Sequence, residues 1–171
     1  MNEKIKNWSI GLVIIGVLFL SGCASVQIVG KPSSFKTLPA IVVAGDITLA
    51  DEKVGIPSEK IREGRDILFE NFKKGLSEFN VLKSIQDLPP GVEDYLLVET
   101  KIRLYQEARP FVMSTVTLEM TVTRYREKEV ILKYPVAYFA GFLRGKSAAY
   151  TIGLTNGAQK VAAAIKRHAR K

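Results

Sequence analysis

Two stretches in the middle of the chain alternate between apolar and polar side chains, and this pattern limits the possible folds more than any other feature. The even positions of residues 95–105, through Leu104, are apolar or threonine, whereas several odd positions are charged. The even positions of residues 112–124, beginning with Val112, are mostly apolar, and the odd positions are rich in threonine. A period of two places alternate side chains on opposite faces of a strand. We therefore expect two long strands with the even positions facing inward.

The short connection between these strands predicts an antiparallel pair. Its register sets even positions against even ones, so that Ile102 lies near Val116 or Leu118. A turn at residues 126–129 and a further apolar run at 130–139 extend the pair to a three-stranded meander. Pro135 lacks a backbone donor, so we expect an edge or a bulge there.

The region before the meander has the pattern of a β-α-β unit. Residues 40–44 are continuously apolar and rich in β-branched side chains, as in a buried strand. Apolar side chains recur every three or four positions in residues 59–78, which predicts an amphipathic helix with Ser58 as its N-cap. Residues 81–85 are a candidate second strand.

Alanine-rich sequence near the C-terminus predicts a second helix, beginning at Ala148 or Thr155 and ending near Ala169. The order of elements predicts an α+β fold. We expect a small mixed or antiparallel sheet with a β-α-β start, a β-meander and a C-terminal helix, and both helices packed on one sheet face.

The N-terminus carries a targeting pattern. Lys4 and Lys6 precede an uncharged apolar run, Ile10 to Leu20, of the length found in signal peptides. The run ends in Leu20-Ser21-Gly22-Cys23, which resembles the lipobox of bacterial lipoproteins. The resemblance implies cleavage after residue 22 and acyl chains, such as palmitate, attached to Cys23. An uncleaved membrane anchor is the alternative.

The same resemblance suggests a domain organisation and a location. Residues 1–22 would be the signal peptide, residues 23–38 a lipidated tether, and residues 39–171 a single periplasmic α+β domain. The residue after Cys23 is Ala24 rather than aspartate, which in that family implies the outer membrane, with the domain facing the periplasm. Gly30 and Pro32 are typical of an extended linker.

The net charge of +8 is concentrated near the C-terminus. From Arg144 to Lys171 the chain has seven Lys or Arg residues and no acidic residue. These cations are candidates for contact with anionic lipid, an acidic partner or a glycan, or they are a solvated tail that complements a helix dipole. Nucleic acid is an unsuitable partner for an exported domain. The candidate contact residues are Arg144, Lys146, Lys166, Arg167, Arg170 and Lys171.

No residue set predicts catalysis, metal binding or a cofactor. His168 is the single histidine, and its position predicts an exposed tail residue. Gly141 to Ser147 resembles a phosphate-binding loop, but Ala140 stands where that motif needs its first glycine. The acidic pairs lie in loops and lack the spacing of a calcium site.

The element order is loosely similar to small periplasmic domains of outer-membrane lipoproteins with curli-secretion-like or TolB-N-like architecture. We therefore predict a membrane-anchored, non-enzymatic adaptor or assembly component that binds another envelope protein. The alternative is a carrier or binder of a small hydrophobic or glycan ligand between the helices and the sheet. The sequence leaves the oligomeric state open.

Overall fold

The computed structural model describes residues 25–35 and 37–169, which form a seven-stranded mixed sheet with two α-helices on one face. The strands are β1 (Gln27–Ile28), β2 (Ile41–Val43), β3 (Ile47–Leu49), β4 (Asn80–Leu82), β5 (Leu96–Gln106), β6 (Ser114–Arg124) and β7 (Glu129–Ala140). The helices are α1 (Ser58–Gly75) and α2 (Ala148–Ala169). The strand order is β1-β7-β6-β5-β2-β4, and β3 pairs separately with β5. The predicted α+β class, the meander and the placement of both helices on one face are confirmed.

The meander is the centre of the sheet. β5 and β6 are antiparallel with Ile102 opposite Leu118 and Lys101 opposite Glu119, one of the two registers expected. β1 pairs with β7 only at Leu132 and Lys133. Among the described residues β7 is therefore an edge strand from Tyr134 onward, which explains why it accepts a proline at position 135.

Two inward-facing predictions are wrong, and both errors lie at the same end of the sheet. A bulge between Ile102 and Leu104 shifts the register, so that Leu104 pairs with Thr117 and faces outward. A bulge adds one residue to one strand and reverses the alternation beyond it. Val112 lies outside β6, which begins at Ser114, and its side chain is exposed.

The β-α-β prediction is confirmed, since β2 is parallel to both β4 and β5. β2 and β3 are separated at Gly45, where φ is +73° and an added Cβ would lie 1.5 Å from the Val98 carbonyl oxygen. Only glycine fits that approach. The predicted cap is wrong: Pro57 occupies the N-cap position of α1, and Ser58 is already helical.

Helix α2 lies very close to the meander. An added Cβ on Gly153 would be 2.8 Å from a Val116 methyl group, and one on Gly157 would be 2.6 Å from the Met120 methyl group. Around Gly153 and Gly157 the layer between α2 and the meander is therefore filled by side chains.

Residues 25–35 fall within the predicted tether, and they lie against the domain. They contribute β1 and a 3-10 helix, Pro32–Phe35, in which Ser34 and Phe35 are buried. The Ser34 hydroxyl donates to the Glu129 carboxylate, and this hydrogen bond is the largest cause of the lowered pKa of Glu129. The Ser34 carbonyl lies 3.5 Å from the guanidinium of Arg124. These contacts attach the segment to the turn between β6 and β7.

Candidate membrane and partner contact sites

The predicted basic contact residues divide into two groups at opposite ends of α2. Arg144 and Lys146 precede the helix, whereas Lys166 and Arg167 lie in its last turn. Twenty residues at about 1.5 Å each separate the groups by about 30 Å along the helix axis. The remaining predicted site residues, Cys23, Arg170 and Lys171, lie outside the described residues.

The first group belongs to a surface that we call the loop end, formed by residues 107–113 between β5 and β6 and residues 141–147 between β7 and α2. The two loops contact each other: the Ala108 amide donates to the Lys146 carbonyl at 2.8 Å. The Tyr105 hydroxyl donates to Glu107 at 2.8 Å and lies 3.5 Å from the Ser147 hydroxyl. The two loops therefore form one connected surface.

A strained turn displays an aromatic side chain at the loop end. Arg109 and Val112 form a β-turn, closed by a 2.9 Å bond from the Val112 amide to the Arg109 carbonyl. Pro110 and Phe111 are the central residues, and Phe111 has φ of +65°, where a type II turn prefers glycine. A bulky residue in this region costs about 1–3 kcal/mol. No burial free energy offsets this cost, because the Phe111 side chain is fully exposed.

Further apolar side chains surround Phe111. Leu143 is 98% exposed in the facing loop, and Met113 is also exposed. We call Phe111, Met113 and Leu143 the apolar tip. Leu104 and Phe139 continue the exposed apolar surface onto the adjacent face of the sheet. Each large apolar side chain left in water forgoes about 1.5–3 kcal/mol of burial free energy.

Cations flank the apolar tip. The charged side chains of the two loops are Arg109, Arg144, Lys146 and Glu107. Arg144 and Lys146 also line an open groove of about 590 Å³ at the start of α2. Because these two loops carry three cations and one carboxylate, the net charge of the loop end is positive.

At the second basic group, Lys166 and the neighbouring His168 contact the rest of the domain, whereas Arg167 is exposed. The Lys166 ammonium lies 3.6 Å from the Glu78 carboxylate. The His168 ring is half-buried, with its centroid 4.7 Å from that of Phe35. The expectation of an exposed His168 is therefore wrong, because the N-terminal segment folds over the end of α2.

A shallow groove of about 380 Å³ lies between β1 and α2. Its apolar part is formed by Val26, Ile28 and alanines of α2, and its cations are Lys160 and Arg167.

The face of the meander opposite the helices is open. In β6 the odd positions from Thr115 to Thr123 are half-buried, whereas the even positions are buried under the helices. On this open face Arg103 and Glu119 form an ion pair at 3.1 Å. The predicted threonine-rich exposed face is confirmed. It carries charged and hydroxyl groups across its centre and apolar groups near the loop end.

Residues 25–35 and 37–169 contain no group of three or more histidine, cysteine or acidic side chains that could hold a metal. Burial raises the pKa of Tyr95 to about 12 and also raises the pKa values of Tyr138 and Tyr150. These phenols stay protonated near neutral pH, and the Tyr150 hydroxyl donates to the Lys60 carbonyl at 2.9 Å.

Within the same ranges no helix is long and apolar enough to cross a membrane.

Sequence reasoning found two cations of the loop end, Arg144 and Lys146, and missed Arg109 and the apolar tip. Pro110 favours a turn at this point of the chain. The aromatic residue that follows it, Phe111, was the available signal for an exposed apolar side chain. Leu143 lies between two glycines in the next loop, and nothing in the sequence shows that the two loops meet.

Comparison with solved structures shows that this two-layer fold recurs. A PelC variant from Paraburkholderia phytofirmans, described as a dodecamer, is similar with a TM-score of 0.55 and 10% identity, covering 81% of this chain and 97% of that one. Protein XCC0632 from Xanthomonas campestris is similar with a TM-score of 0.53 and 11% identity, covering 86% and 95%. At such identities the likeness shows a common fold alone.

No protein-family model matches the sequence, and no curated protein matches it. The fold itself defines the class of protein, which is an α+β domain with one open sheet face.

Proposed function

We propose that the chain is a lipoprotein anchored in the cell envelope through Cys23 and that it acts as a non-enzymatic adaptor that binds another envelope protein.

 The observation that carries the proposal is the open face of the meander, which spans three long strands and stays uncovered while the opposite face is buried under both helices. We further propose that the anchor places the domain on the periplasmic side of the outer membrane.

The chemistry of the open face suits a protein partner. Its centre combines threonine hydroxyls with the charged side chains of Glu99, Lys101, Arg103 and Glu119. Such groups give hydrogen bonds and complementary charge, which select a partner rather than drive non-specific association.

The anchor is tested by metabolic labelling with an acyl-chain probe. The unaltered chain is expected to be labelled and membrane-bound, and Cys23→Ser is expected to lose the label. A matched control, Cys23→Ser with Ser25→Cys, keeps one cysteine but moves it out of the lipobox, and it is also expected to be unlabelled. Undiminished labelling of Cys23→Ser would refute the lipobox assignment.

The adaptor role is tested by site-specific photocrosslinking in intact cells. A photoreactive residue at Thr117 or Thr121 is expected to give the same protein product from both sites. The control site is Glu70, which is exposed on α1 in the other layer. Equal products from all three sites, or none from the open face, would contradict the proposal.

A carrier role is the second candidate, and the groove between β1 and α2 favours it. An apolar floor beside Lys160 and Arg167 suits a small ligand with an apolar body and an anionic group. Native mass spectrometry of the purified full chain is expected to detect such a ligand, and Ala163→Trp, which fills the groove, is expected to remove it. Identical spectra for the two proteins would exclude this site.

A further inference from the structure

We propose that the loop end is a second membrane contact, in which the apolar tip inserts into the bilayer surface and the neighbouring cations bind anionic lipid phosphates. The contact goes beyond partner binding. It rests on the proposed lipid anchor, which brings the domain to the membrane.

The first observation is the concentration of exposed apolar side chains at one end of the molecule. Among the described residues, large apolar side chains with substantial exposure cluster there, while the others are scattered. The members at this end are Leu104, Phe111, Val112, Met113, Phe139 and Leu143. Phe111 and Leu143 lie in two loop tips and are almost fully exposed, a display that suits a fluid bilayer better than a protein pocket.

The second observation is that the display of these side chains is fixed by structure. Phe111 is held outward by a hydrogen-bonded turn with a left-handed backbone, and the two loops are joined by the bond from Ala108 to Lys146. A backbone outlier that the core does not require is typical of functional surfaces.

The third observation is that apolar and basic side chains occur together at the loop end. Phe111 and Leu143 are almost fully exposed at the loop tips, and the exposed cations Arg109, Arg144 and Lys146 lie in the same two loops. A bilayer presents the complementary chemistry, with anionic headgroups above an apolar interior. Each Lys or Arg near an anionic surface contributes about a fivefold increase in binding.

The fourth observation is the direction of the N-terminal segment. β1 is antiparallel to β7, and β7 runs toward the loop end. Traced backward from Ile28 to Ser25, the chain therefore points toward the loop end. Cys23 is two residues before Ser25, at most about 7 Å of extended chain. A lipid on Cys23 would keep the domain near the bilayer, with Ser25 beside Lys160, about 20 Å along α2 from Lys146.

The test measures tryptophan depth in the processed, lipidated protein reconstituted into vesicles of phosphatidylethanolamine and phosphatidylglycerol. The single tryptophan of the sequence, Trp8, lies in the predicted signal peptide and is removed on processing. On that tryptophan-free background, Phe111→Trp and Leu143→Trp report the apolar tip, and quenching by spin-labelled lipid is recorded. The matched control is Tyr125→Trp, because Tyr125 is an exposed aromatic residue at the opposite end of the meander. The eleven residues of β6 separate the two ends by about 35 Å.

We expect stronger quenching and blue-shifted emission for Phe111→Trp and Leu143→Trp than for Tyr125→Trp. Combining Arg109→Gln, Arg144→Gln and Lys146→Gln is expected to lower the insertion equilibrium constant by up to about 100-fold. The protein that keeps all three cations should show the same loss of insertion on vesicles of phosphatidylcholine alone, because these vesicles carry no net negative charge.

Vesicle flotation separates the two proposals. Protein that does not float with the vesicles contradicts the lipid anchor. Protein that floats, but whose Phe111→Trp and Tyr125→Trp variants are quenched equally, overturns the membrane contact and leaves the anchor intact. Shielding of Phe111→Trp from aqueous iodide in native membranes but not in vesicles would also overturn it, because a protein would then cover the tip.

Discussion

Replacing Arg124 with methionine tests how much its ion pair with Asp94 contributes to the free energy of unfolding. The pair lies at the end of the meander opposite the loop end. The Arg124 guanidinium donates two hydrogen bonds to Asp94, at 2.9 and 3.3 Å, and its side chain is only 9% exposed. The hydrogen bond to Asp94 is the largest cause of the raised pKa of Arg124. Removing one partner of a buried pair costs about 3–5 kcal/mol. Because Asp94 is 29% exposed, water compensates part of that loss, and we expect about 2–3 kcal/mol for Arg124→Met.

The assay is a double-mutant cycle by urea unfolding with Arg124→Met, Asp94→Asn and the combined variant. A coupling free energy of about 1–2 kcal/mol is expected, since the two residues are in direct contact. The matched control is the exposed pair Arg103 and Glu119, for which the coupling should stay below about 1 kcal/mol. Equal coupling in the two cycles would refute the argument that burial makes the Arg124 pair the stronger one.

Four further changes test the packing. Ser114→Ala removes a hydroxyl that bonds the start of α2 and the end of β7, and should cost about 1–3 kcal/mol in thermal unfolding. Gly153→Ala should destabilise by about 1 kcal/mol, because crowding outweighs the gain in helix propensity; stabilisation would contradict the close approach. Glu129 has a lowered pKa, so its contribution is lost as pH falls below 4.5, and Glu129→Gln should flatten stability in that range. Deleting residues 166–171 should lower the unfolding midpoint more than deleting residues 170–171.

The fold was predictable where one physical rule acts over many residues. Strict alternation set the faces and the pairing of β5 and β6, because one slipped residue would expose the whole apolar set. The prediction failed at Leu104, where a single bulge reverses the alternation. A bulge depends on how two strands meet, and the local pattern contains no signal for it.

The short strands β1 and β3 were missed for a different reason. β1 has two residues, and its partner lies about one hundred positions later in the chain. Such pairing is decided by long-range contact, whereas Gly30 and Pro32 locally favour an extended linker. The same contact explains why His168 is packed: Phe35, which covers it, belongs to a segment that the sequence suggests is free.

Of the candidate sites, the cations were predictable and their arrangement was not. In the sequence, Arg144 and Lys166 belong to one basic C-terminal segment. In the structure they lie at opposite ends of a helix of 22 residues. The apolar tip was not predictable, because Phe111 and Leu143 come from loops about thirty residues apart that meet only in the folded chain.

The membrane contact and the partner-binding face are compatible in one orientation of the domain. The strands of the meander run from the turn near Tyr125 to the loop end, so a bilayer at the loop end would lie across the strand ends. The open face would then stand upright, and its central charged residues would stay in water. Leu104 and Phe139 lie on that face nearest the bilayer, where apolar side chains are tolerated best. The change along one sheet face, from apolar at the loop end to polar at its centre, follows the polarity gradient of a membrane surface.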